Sequence, residues 1–412
     1  MEHGALTTRA IAPEEYEDFA RVGYTAFLEH PSAEEMEADR PFMEFNRTRA
    51  GFIGERMAGT SAVLSLQMTI PGGTRLPLAG VTWIGVRPEF TRRGILSRLM
   101  KEQLLDAVEH GEALAGLWAS ESRIYGRFGF APATHIMGLR VETRDAHPLQ
   151  PLRDTGRVRL AEKAEVTELL PRLYERHGRQ LPGEVSRPRG FWTAWLADVE
   201  RHRGGASRLF HAVHEDQAGE ADGYVSFRMV YEETSGLANN EVKLVELVGA
   251  HATVRRALWR FCLGLDLVRV VSWDTAPADF AYRWDLADPR RLVVNDLHDG
   301  LWLRILSIPA ALAGRRYQGG GELVLEASDH FLGSAGGRFL LACHGSAAAC
   351  TRTRRRPMLH MDVAALSAAY LGGVSFTTLA EAGWVEERVP GALDLADTLF
   401  STPRPPYCTT LF

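Results

Sequence analysis

The feature that most constrains this chain is a strand that leads through a basic glycine turn into an amphipathic helix. Residues 81–86 read VTWIGV, and their alternating, partly β-branched pattern predicts a β-strand. Pro88 has no amide hydrogen to offer a strand ladder, so the strand ends there. Beyond the turn, apolar residues recur at spacings of three and four, which predicts one buried helix face: Leu96, Leu99, Met100, Leu104 and Val108.

The turn between them has the chemistry of an anion site. Arg92 and Arg93 carry permanent positive charge and forked hydrogen-bond donors. Gly94 allows the backbone to turn tightly and to come close to a bound phosphate. The first amides of the following helix have no partner within the helix, and the helix dipole favours negative charge beside them. This turn therefore predicts a site for a pyrophosphate.

A second strand ends beside a tyrosine further along the chain. Ser120 and Glu121 are followed by the run YGRFGF, which begins at Tyr125. The whole layout resembles the acetyl-coenzyme A site of the GNAT acyltransferase superfamily. It departs from that family's turn, which begins with arginine or glutamine and ends with glycine or alanine, because Thr91 and Leu96 stand in those places. The backbone amides survive this change, whereas one side-chain contact is missing.

Composition narrows the class of protein. The 412 residues are 45% hydrophobic and 24% charged with a net charge of -5, as in an ordinary globular protein of two or three domains. No long uncharged apolar run and no charged leader segment occur, so we expect a cytoplasmic protein with no membrane span and no signal peptide. A run of arginines is interpreted as an exposed loop and not as a nucleic-acid site: Arg352, Arg354, Arg355 and Arg356.

The cysteines and histidines predict no metal. The histidines are scattered, and the cysteines lack both Cys-x-x-Cys pairing and a matched histidine spacing, so we expect reduced structural thiols. The four positions are Cys262, Cys343, Cys350 and Cys408.

Three segments are predicted, with boundaries at residues 1–145, 146–300 and 301–412. Proline-containing breaks follow Asp145, and a new succession of helices and strands starts near Val158. In the last segment, 301–306 and 321–325 read as strands, and 363–370 reads as a short helix.

The middle segment echoes the first. Its predicted strand at 242–248 is followed by paired arginines, Arg255 and Arg256, and by an apolar helix. Ala257 stands where Gly94 stood. We interpret this as an internal duplication whose second copy has lost the phosphate turn and acts as a scaffold.

Two tandem GNAT-like halves, a degenerate second copy and a C-terminal α+β segment together resemble the Eis (enhanced intracellular survival) family of acetyltransferases. The resemblance covers the whole chain, is strongest over 81–130, and includes an ending on phenylalanine. It implies an α+β fold with a sterol carrier protein-like third domain and a homo-hexameric assembly. It also implies transfer from acetyl-CoA to several amines of aminoglycosides and to some lysine side chains.

The resemblance also implies roles for individual residues. Tyr125 corresponds to the general acid of the family, and the C-terminal carboxylate of Phe412 corresponds to its general base. Three groups of residues would hold acetyl-CoA: Ile84, Gly85 and Val86 along the pantetheine arm, Arg92, Arg93, Gly94, Ile95, Leu96 and Ser97 around the pyrophosphate, and Ser120 and Glu121 at the border of the cofactor.

These roles fit the chemistry of amine acetylation unequally well. Amides near Val86 can stabilise the charge that develops on the thioester oxygen. A phenol with a pKa of about 10 suits the protonation of a departing thiolate. An α-carboxylate has a pKa of only about 3.5, so Phe412 accepts a proton poorly unless burial raises its pKa. Otherwise it orients the substrate cation or works through water.

Several alternatives stay open from the sequence. An acidic run, comprising Glu29, Glu34, Glu35, Glu37 and Asp39, either attracts a polycationic amine or forms a solvated helix face. The enzyme alternatives are a transferase for protein lysines or for another acyl group. A non-catalytic lipid-binding module is the third reading, and retention of Arg92, Arg93, Gly94 and Tyr125 argues against it. The first fifty residues do not identify the acceptor pocket.

Overall fold

The computed structural model describes four stretches of the chain, residues 4–154, 156–234, 236–345 and 347–412. They form two compact units. The first unit contains the described residues up to Thr134, the segment Leu181–Phe191 and the stretch Gly300–Phe412. The second unit contains His135–Gln180 and Trp192–Asp299. Each unit is thus assembled from segments that are distant in the sequence.

Runs of consecutive strands are separated by one or two helices along most of the described chain. The strands of the described residues are β1 (Leu6–Arg9), β2 (Thr48–Ile53), β3 (Arg56–Thr69), β4 (Arg75–Val86), β5 (Leu114–Trp118), β6 (Ala131–Pro132), β7 (His135–Glu142), β8 (Arg157–Leu160), β9 (Phe210–Glu215), β10 (Ala221–Val230), β11 (Glu233–Thr234), β12 (Leu237–Ala238), β13 (Asn240–Gly249), β14 (Val268–Pro277), β15 (Leu292–Asp299), β16 (Leu301–Ile305), β17 (Gly321–Ser328), β18 (Gly337–His344), β19 (Ala347–Arg352), β20 (Leu359–Asp362) and β21 (Val385–Glu387). The α-helices of the same residues are α1 (Tyr16–Thr25), α2 (Ala33–Asp39), α3 (Ile95–Glu109), α4 (Ser122–Tyr125), α5 (Lys163–His177), α6 (Arg189–Ala197), α7 (Ala252–Leu263), α8 (Ile308–Gly314), α9 (Val363–Tyr370), α10 (Phe376–Glu381) and α11 (Ala392–Phe400).

The first unit is built on a seven-stranded sheet in the order β1-β2-β3-β4-β5-β16-β6. Strands β4 and β5 run parallel, and the other neighbours pair antiparallel. Because parallel strands need a crossover connection, helix α3 joins β4 to β5. The strand predicted at 81–86 is the end of β4, and the predicted helix is α3, so both predictions are confirmed.

Helix α3 packs on the sheet with the middle of the predicted face, while Leu96 at its start is half-buried. Leu99, Met100 and Leu104 are buried, whereas Val108 is 38% exposed. Each step of four residues overshoots one helical turn. The row that starts at Leu96 therefore rotates away from the sheet before it reaches Val108.

The second unit is built on another seven-stranded sheet, in the order β15-β7-β14-β13-β10-β9-β8. Strand β13 and helix α7 confirm the strand and helix predicted here. The prediction for the paired arginines is wrong in position, since Arg255 and Arg256 lie inside α7 and not in the turn before it. The cause is an early helix start, because the extended residue His251 is already the N-cap.

The C-terminal part of the first unit contributes a five-stranded sheet, β19-β18-β17-β20-β21, with the short helices α8–α11. Strand β17 and helix α9 confirm the two elements predicted at 321–325 and 363–370. Arg354, Arg355 and Arg356 are exposed after β19, as predicted, whereas Arg352 is the last residue of β19.

The sheets exchange strands across both predicted segment boundaries. Strand β7, which precedes the boundary at 145, pairs with β14 and β15 in the second sheet. Strand β16, which follows the boundary at 300, pairs with β5 and β6 in the first sheet. The sequence pattern predicts the strand at 301–306, which is β16, but it contains no information on the partners of that strand.

The sequence also predicts structural thiols and no membrane-spanning helix. All four cysteines are buried and unlinked, as expected for structural thiols. Within the described part of the chain, no helix combines the length and the apolar character that crossing a bilayer requires.

Candidate active site

The site begins where strands β4 and β5 part. Their parallel register covers only Leu78–Gly80 on β4 and Leu114–Gly116 on β5. Beyond Gly80, strand β4 continues to Val86 while paired on its other side with β3. The edge that faces β5 therefore carries backbone groups without a strand partner within the described sheet. An extended chain can pair with such an edge, and Ile84, Gly85 and Val86 lie on it.

A β-bulge turns the backbone of β4 within this unpaired stretch. Thr82 lies opposite Ala62 and Gly85 opposite Thr60, so Trp83 and Ile84 together face one residue of β3. Trp83 has a φ of 52° in the left-handed region, and its carbonyl accepts a hydrogen bond of 2.9 Å from the Thr60 hydroxyl. Such strain persists only where the surroundings hold it, and bulges re-aim a strand next to functional sites.

Two left-handed residues shape the predicted anion turn. Arg92 has a φ of 62° and Gly94 a φ of 80°. Gly94 is the N-cap of α3, so the helix begins with the amide of Ile95. A Cβ placed on Gly94 would meet open space and not a neighbouring atom. The turn therefore leaves the first helical amides accessible to an anion.

A cavity of about 490 Å³ lies in front of this turn. It brings together most of the residues predicted to hold the pyrophosphate and adds three that were not predicted. Its lining consists of Val86, Phe90, Thr91, Arg92, Gly94, Ile95, Leu96, Ser97 and Arg127. Arg93 is not among them; its guanidinium lies 5.3 Å from the centre of the Phe90 ring.

Arg127 lines this cavity and was not among the residues predicted from the sequence. It occurs two positions after Tyr125, inside the run already singled out, so the signal was present as a basic residue near the motif. Its guanidinium lies 5.0 Å from the centre of the Phe128 ring, and its Nε donates a hydrogen bond of 3.2 Å to the Ile124 carbonyl. These contacts hold a second cation at the cavity that Arg92 lines.

Tyr125 ends helix α4 and is only 5% exposed. Burial raises the pKa of its phenol, and a hydrogen bond with the Ser120 side chain partly opposes that shift. The phenol therefore keeps its proton at neutral pH, as a proton donor must. Ser120 thus contacts the predicted acid, while Glu121 is the exposed N-cap residue of α4 and lines neither cavity.

The chain end reaches the same stretch of β4. A Cβ placed on Gly80 would lie 3.2 Å from Cε2 of the Phe412 ring. Tyr125 belongs to the core cluster that includes Ala79 and Val81, the two neighbours of Gly80. Because successive strand residues point to opposite faces, the Phe412 ring packs on the Gly80 face of β4, and Tyr125 belongs to the core on the other face.

Two side chains make three hydrogen bonds to the residues before Phe412. Trp118, at the end of β5, donates a 2.9 Å hydrogen bond to the Thr410 carbonyl. Arg187 donates to the hydroxyl groups of Thr410 and Thr409, each at 2.9 Å. Leu411, the residue before Phe412, is 67% exposed. Neighbouring residues of an extended chain point to opposite sides, so only Phe412 faces the sheet.

A second cavity of about 180 Å³ lies on the other side of the bulge. Aromatic residues and one carboxylate form most of its wall, a combination suited to an organic cation. Its lining consists of Gly23, Tyr24, Phe27, Glu29, Thr82 and Trp83. Thr82 and Trp83 belong to the unpaired stretch of β4, so this cavity and the gap share a strand.

The structure divides the acidic run into parts with different surroundings. Glu29 lines the second cavity. Asp39 accepts a hydrogen bond from the Tyr24 hydroxyl in the wall of that cavity. Glu34 and Glu37 are exposed on α2, and Glu35 forms a capping box with Ser32. The solvated-face interpretation therefore holds for α2, and the cation-attracting interpretation concerns Glu29.

Comparison with known families assigns three domains along the chain. A family model described as an acetyltransferase (GNAT) domain matches residues 7–133. A second model of the same description matches residues 183–305. A sterol carrier protein domain model matches residues 308–409. These matches confirm the predicted order of two GNAT domains and a sterol carrier protein-like domain.

Similar proteins extend over nearly the whole chain. An uncharacterised N-acetyltransferase of Streptomyces avermitilis is 36% identical over 91% of this chain and 92% of its own length. The N-acetyltransferase Eis of Mycobacterium tuberculosis is 34% identical over 85% of each chain. The crystal structure of Eis1 from Mycobacterium abscessus superposes with a TM-score of 0.87 at 33% identity, covering 99% of this chain and 100% of that one.

Proposed function

The chain belongs to the Eis family of GNAT N-acetyltransferases, and from that premise we propose that it acetylates aminoglycosides at several amines, with acetyl-CoA as donor. The observation that carries the proposal is the second cavity, where Glu29 and aromatic side chains border the bulged strand β4. Aminoglycosides carry several ammonium groups on one molecule. A cavity with a carboxylate and aromatic walls favours such a cation.

The first cavity supports a site for the donor. Arg92 and Arg127 would hold the pyrophosphate together with the unpaired amides at the start of α3, and the open space above Gly94 fits that close approach. The unpaired edge of β4 at 84–86 would pair with the pantetheine arm. Acetyl-CoA supplies the activated acyl group, and the protein supplies position and charge.

Protons move at the two predicted catalytic groups. Tyr125 keeps its proton at neutral pH and donates it to the leaving sulfur. A carboxylate at Phe412 orients the acceptor ammonium and passes its proton to solvent. This second role requires the free carboxylate at residue 412. Backbone amides near Val86 stabilise the oxygen on which charge develops.

The proposal includes a homo-oligomer, a hexamer as in the resemblance, working in the cytoplasm. Edge strand β15 of the second unit supports an assembly, because Val293 and Leu297 are 54% and 61% exposed on it, and Trp284 is 72% exposed. The unlinked thiols suit a reducing compartment. Light scattering on purified protein gives the mass that tests the assembly, and a monomer would contradict it.

Thiol release from acetyl-CoA tests the reaction, with kanamycin, neomycin and a lysine-rich peptide as acceptors. We expect rapid release with both aminoglycosides and products that carry more than one acetyl group by mass spectrometry. Release with the peptide alone would contradict the proposal and favour a protein-lysine acetyltransferase.

A pair of variants tests the second cavity. Glu29→Gln removes the carboxylate of this cavity. We expect the KM for kanamycin to rise about fivefold, which corresponds to the free energy that an exposed ion pair contributes. Glu34→Gln, on the exposed face of α2, leaves that KM unchanged. Equal effects of the two variants would show that overall charge, and not the cavity, attracts the substrate.

A further inference from the structure

A fully buried ion pair joins strand β16 to the loop after β17 in the first unit. Nη2 of Arg304 lies 2.8 Å and 3.0 Å from the two carboxylate oxygens of Asp329, and neither side chain is exposed. Asp329 also accepts hydrogen bonds of 3.3 Å from the amides of Phe331, Leu332 and Ala335. The carboxylate thereby fixes the loop and the guanidinium at once.

The other end of the guanidinium holds the turn that follows Tyr125. Nη1 of Arg304 donates a hydrogen bond to the Phe128 carbonyl. Gly129 adopts a φ of 81°, and a Cβ at that position would lie 1.8 Å from Nη1. Only glycine accepts both the left-handed backbone and this close approach. The turn is therefore shaped around the guanidinium.

The same loop touches the turn from a second direction. The Phe331 ring packs edge-to-face on Phe128, with 4.9 Å between ring centres. Within the turn, the Gly129 amide donates to the Gly126 carbonyl at 3.0 Å, and the Phe130 amide donates to the Tyr125 carbonyl at 3.4 Å. The two residues that follow Phe128 are thus hydrogen-bonded to Gly126 and to Tyr125, so a displacement of Phe128 also displaces the backbone of Tyr125.

We infer that Arg304 and Asp329 are positioning residues for the phenol of Tyr125, through which the C-terminal sheet sets the geometry of proton donation. This inference rests on the proposed role of Tyr125 as the acid. The planar guanidinium is essential to it, because one edge grips the carboxylate while the other reaches the Phe128 carbonyl. A lysine has one ammonium and cannot span both partners.

The test compares Arg304→Lys with wild type at saturating acetyl-CoA and kanamycin. We expect kcat to fall about tenfold while the KM for acetyl-CoA rises by at most about twofold, since Arg304 does not line the cavity at α3 and reaches it only through Arg127, which packs on the Phe128 ring. Phe331→Leu, which removes one ring contact, lowers kcat less. If Arg304→Lys does not fold, Phe331→Leu serves as the test variant in its place.

A double-mutant cycle with Tyr125→Phe separates positioning from general damage. If Arg304 acts through the phenol, Arg304→Lys costs nothing further in the Tyr125→Phe background. An undiminished further loss in that background would overturn the inference. If Tyr125→Phe alone kept full turnover, the acid role would fail, and a loss in Arg304→Lys would then overturn the inference as well.

Leu341→Ala is the matched control for stability. Leu341 is buried in β18 of the same C-terminal sheet and belongs to a different core cluster from Tyr125. At a temperature where all variants are folded, we expect its kcat to equal that of wild type. A tenfold loss in Leu341→Ala would show that loosening the sheet is sufficient, which contradicts a specific role for Arg304.

Discussion

The two units share one order of elements, a strand, a turn and a helix, and differ at the turn. In the first unit, β4 leads through the left-handed residues Arg92 and Gly94 into α3. In the second unit, β13 leads through Ala250 and the extended residue His251 into α7. The left-handed turn leaves open space in front of the first amides of α3. Neither Ala250 nor His251 has a left-handed backbone conformation.

The arginines differ as much as the turns. Arg92 and Arg127 make no ion pair with any residue that the structure describes. Arg256 and Arg260 of the second unit both grip Asp285, with Nε donors at 2.5 Å and 2.7 Å. Burial raises the pKa of that carboxyl, but the two guanidinium groups more than offset the rise and hold it low. An anion site therefore needs a turn geometry and also arginines that the fold has not neutralised.

The largest expected effect is on Tyr125, the proposed proton donor in the first unit. Tyr125→Phe lowers kcat about 10²–10⁴-fold, the usual worth of a positioned acid, with little change in the KM for acetyl-CoA. Steady-state thiol release measures both constants. Tyr224→Phe removes a buried hydroxyl from the second unit, where it donates to Glu246. If both variants lost turnover equally, the functional difference between the units would disappear.

The pH dependence of kcat tests whether the phenol of Tyr125 must be protonated for turnover. Burial raises the pKa of its phenol, so the protonated form persists to higher pH than in an ordinary tyrosine. We expect kcat to decline on the alkaline side only above about pH 10, the unperturbed value for a phenol. A decline centred well below that pH, absent from Tyr125→Phe, would contradict a buried phenolic acid.

The next effect concerns the unpaired cations. Arg92→Gln and Arg127→Gln each raise the KM for acetyl-CoA about 10-fold, because a hydrogen bond from a charged donor to phosphate is lost. The difference from wild type narrows at high salt. Arg256→Gln breaks a contact to Asp285 in the second unit and lowers the unfolding midpoint, yet leaves this KM unchanged. A rise in KM for Arg256→Gln would assign the cofactor to both units.

Glycine in the turn has a smaller effect. Gly94→Ala forces a Cβ into left-handed backbone at a cost of about 1–2 kcal/mol, and we expect the KM for acetyl-CoA to rise about fivefold. Gly219, in the turn between β9 and β10, has a φ of 81° and equally open surroundings. Gly219→Ala therefore carries the same strain without touching the site. Only Gly94→Ala should change the KM.

The smallest effect is on the stability of the second unit. His214 lies between Asp222 and Asp154, with ring nitrogens 2.6 Å and 2.8 Å from their oxygens. Burial lowers the pKa of His214, but the two carboxylates outweigh burial and raise it. Its contribution is therefore fully present below about pH 6.5 and is lost as the pH rises through the folded-state pKa. Urea midpoints between pH 6 and 9 should fall less in His214→Gln.

His211, on the same strand, has a lowered pKa, so its contribution to stability changes with pH in the opposite direction to that of His214. Burial lowers its pKa to about 4. The unfolded chain binds more protons than the folded chain between that value and about pH 6.5, so this contribution is lost as the pH falls. His211→Gln should flatten the acidic limb, while turnover at pH 8 stays unchanged in both variants. An identical pH response in the two variants would contradict these assignments.

Local sequence information was sufficient for the elements that form the donor site. The strand at 81–86, the turn at Gly94 and the helix after it depend on periodicity and on backbone rules that act over a few residues. Tyr125 was located by its motif. Val108 deviated because helical rotation accumulates beyond the span that the spacing rule describes.

Partners distant in the sequence could not be predicted in this way. Strands β7 and β16 pair outside their predicted segments, since a strand pattern does not encode its neighbour. In the sequence, Arg127 looks like one more charged residue, Glu29 like one of five carboxylates in an acidic run, and Arg304 like one more residue of a strand. Only the folded arrangement shows that the first two line cavities and that the third is buried against Asp329.

Calorimetric titration of coenzyme A into the purified protein tests the contrast between the units most directly. The account predicts one binding site per chain, weakened about 10-fold in Arg92→Gln and unaffected in Arg256→Gln. Two sites per chain, or binding lost in Arg256→Gln and retained in Arg92→Gln, would contradict it.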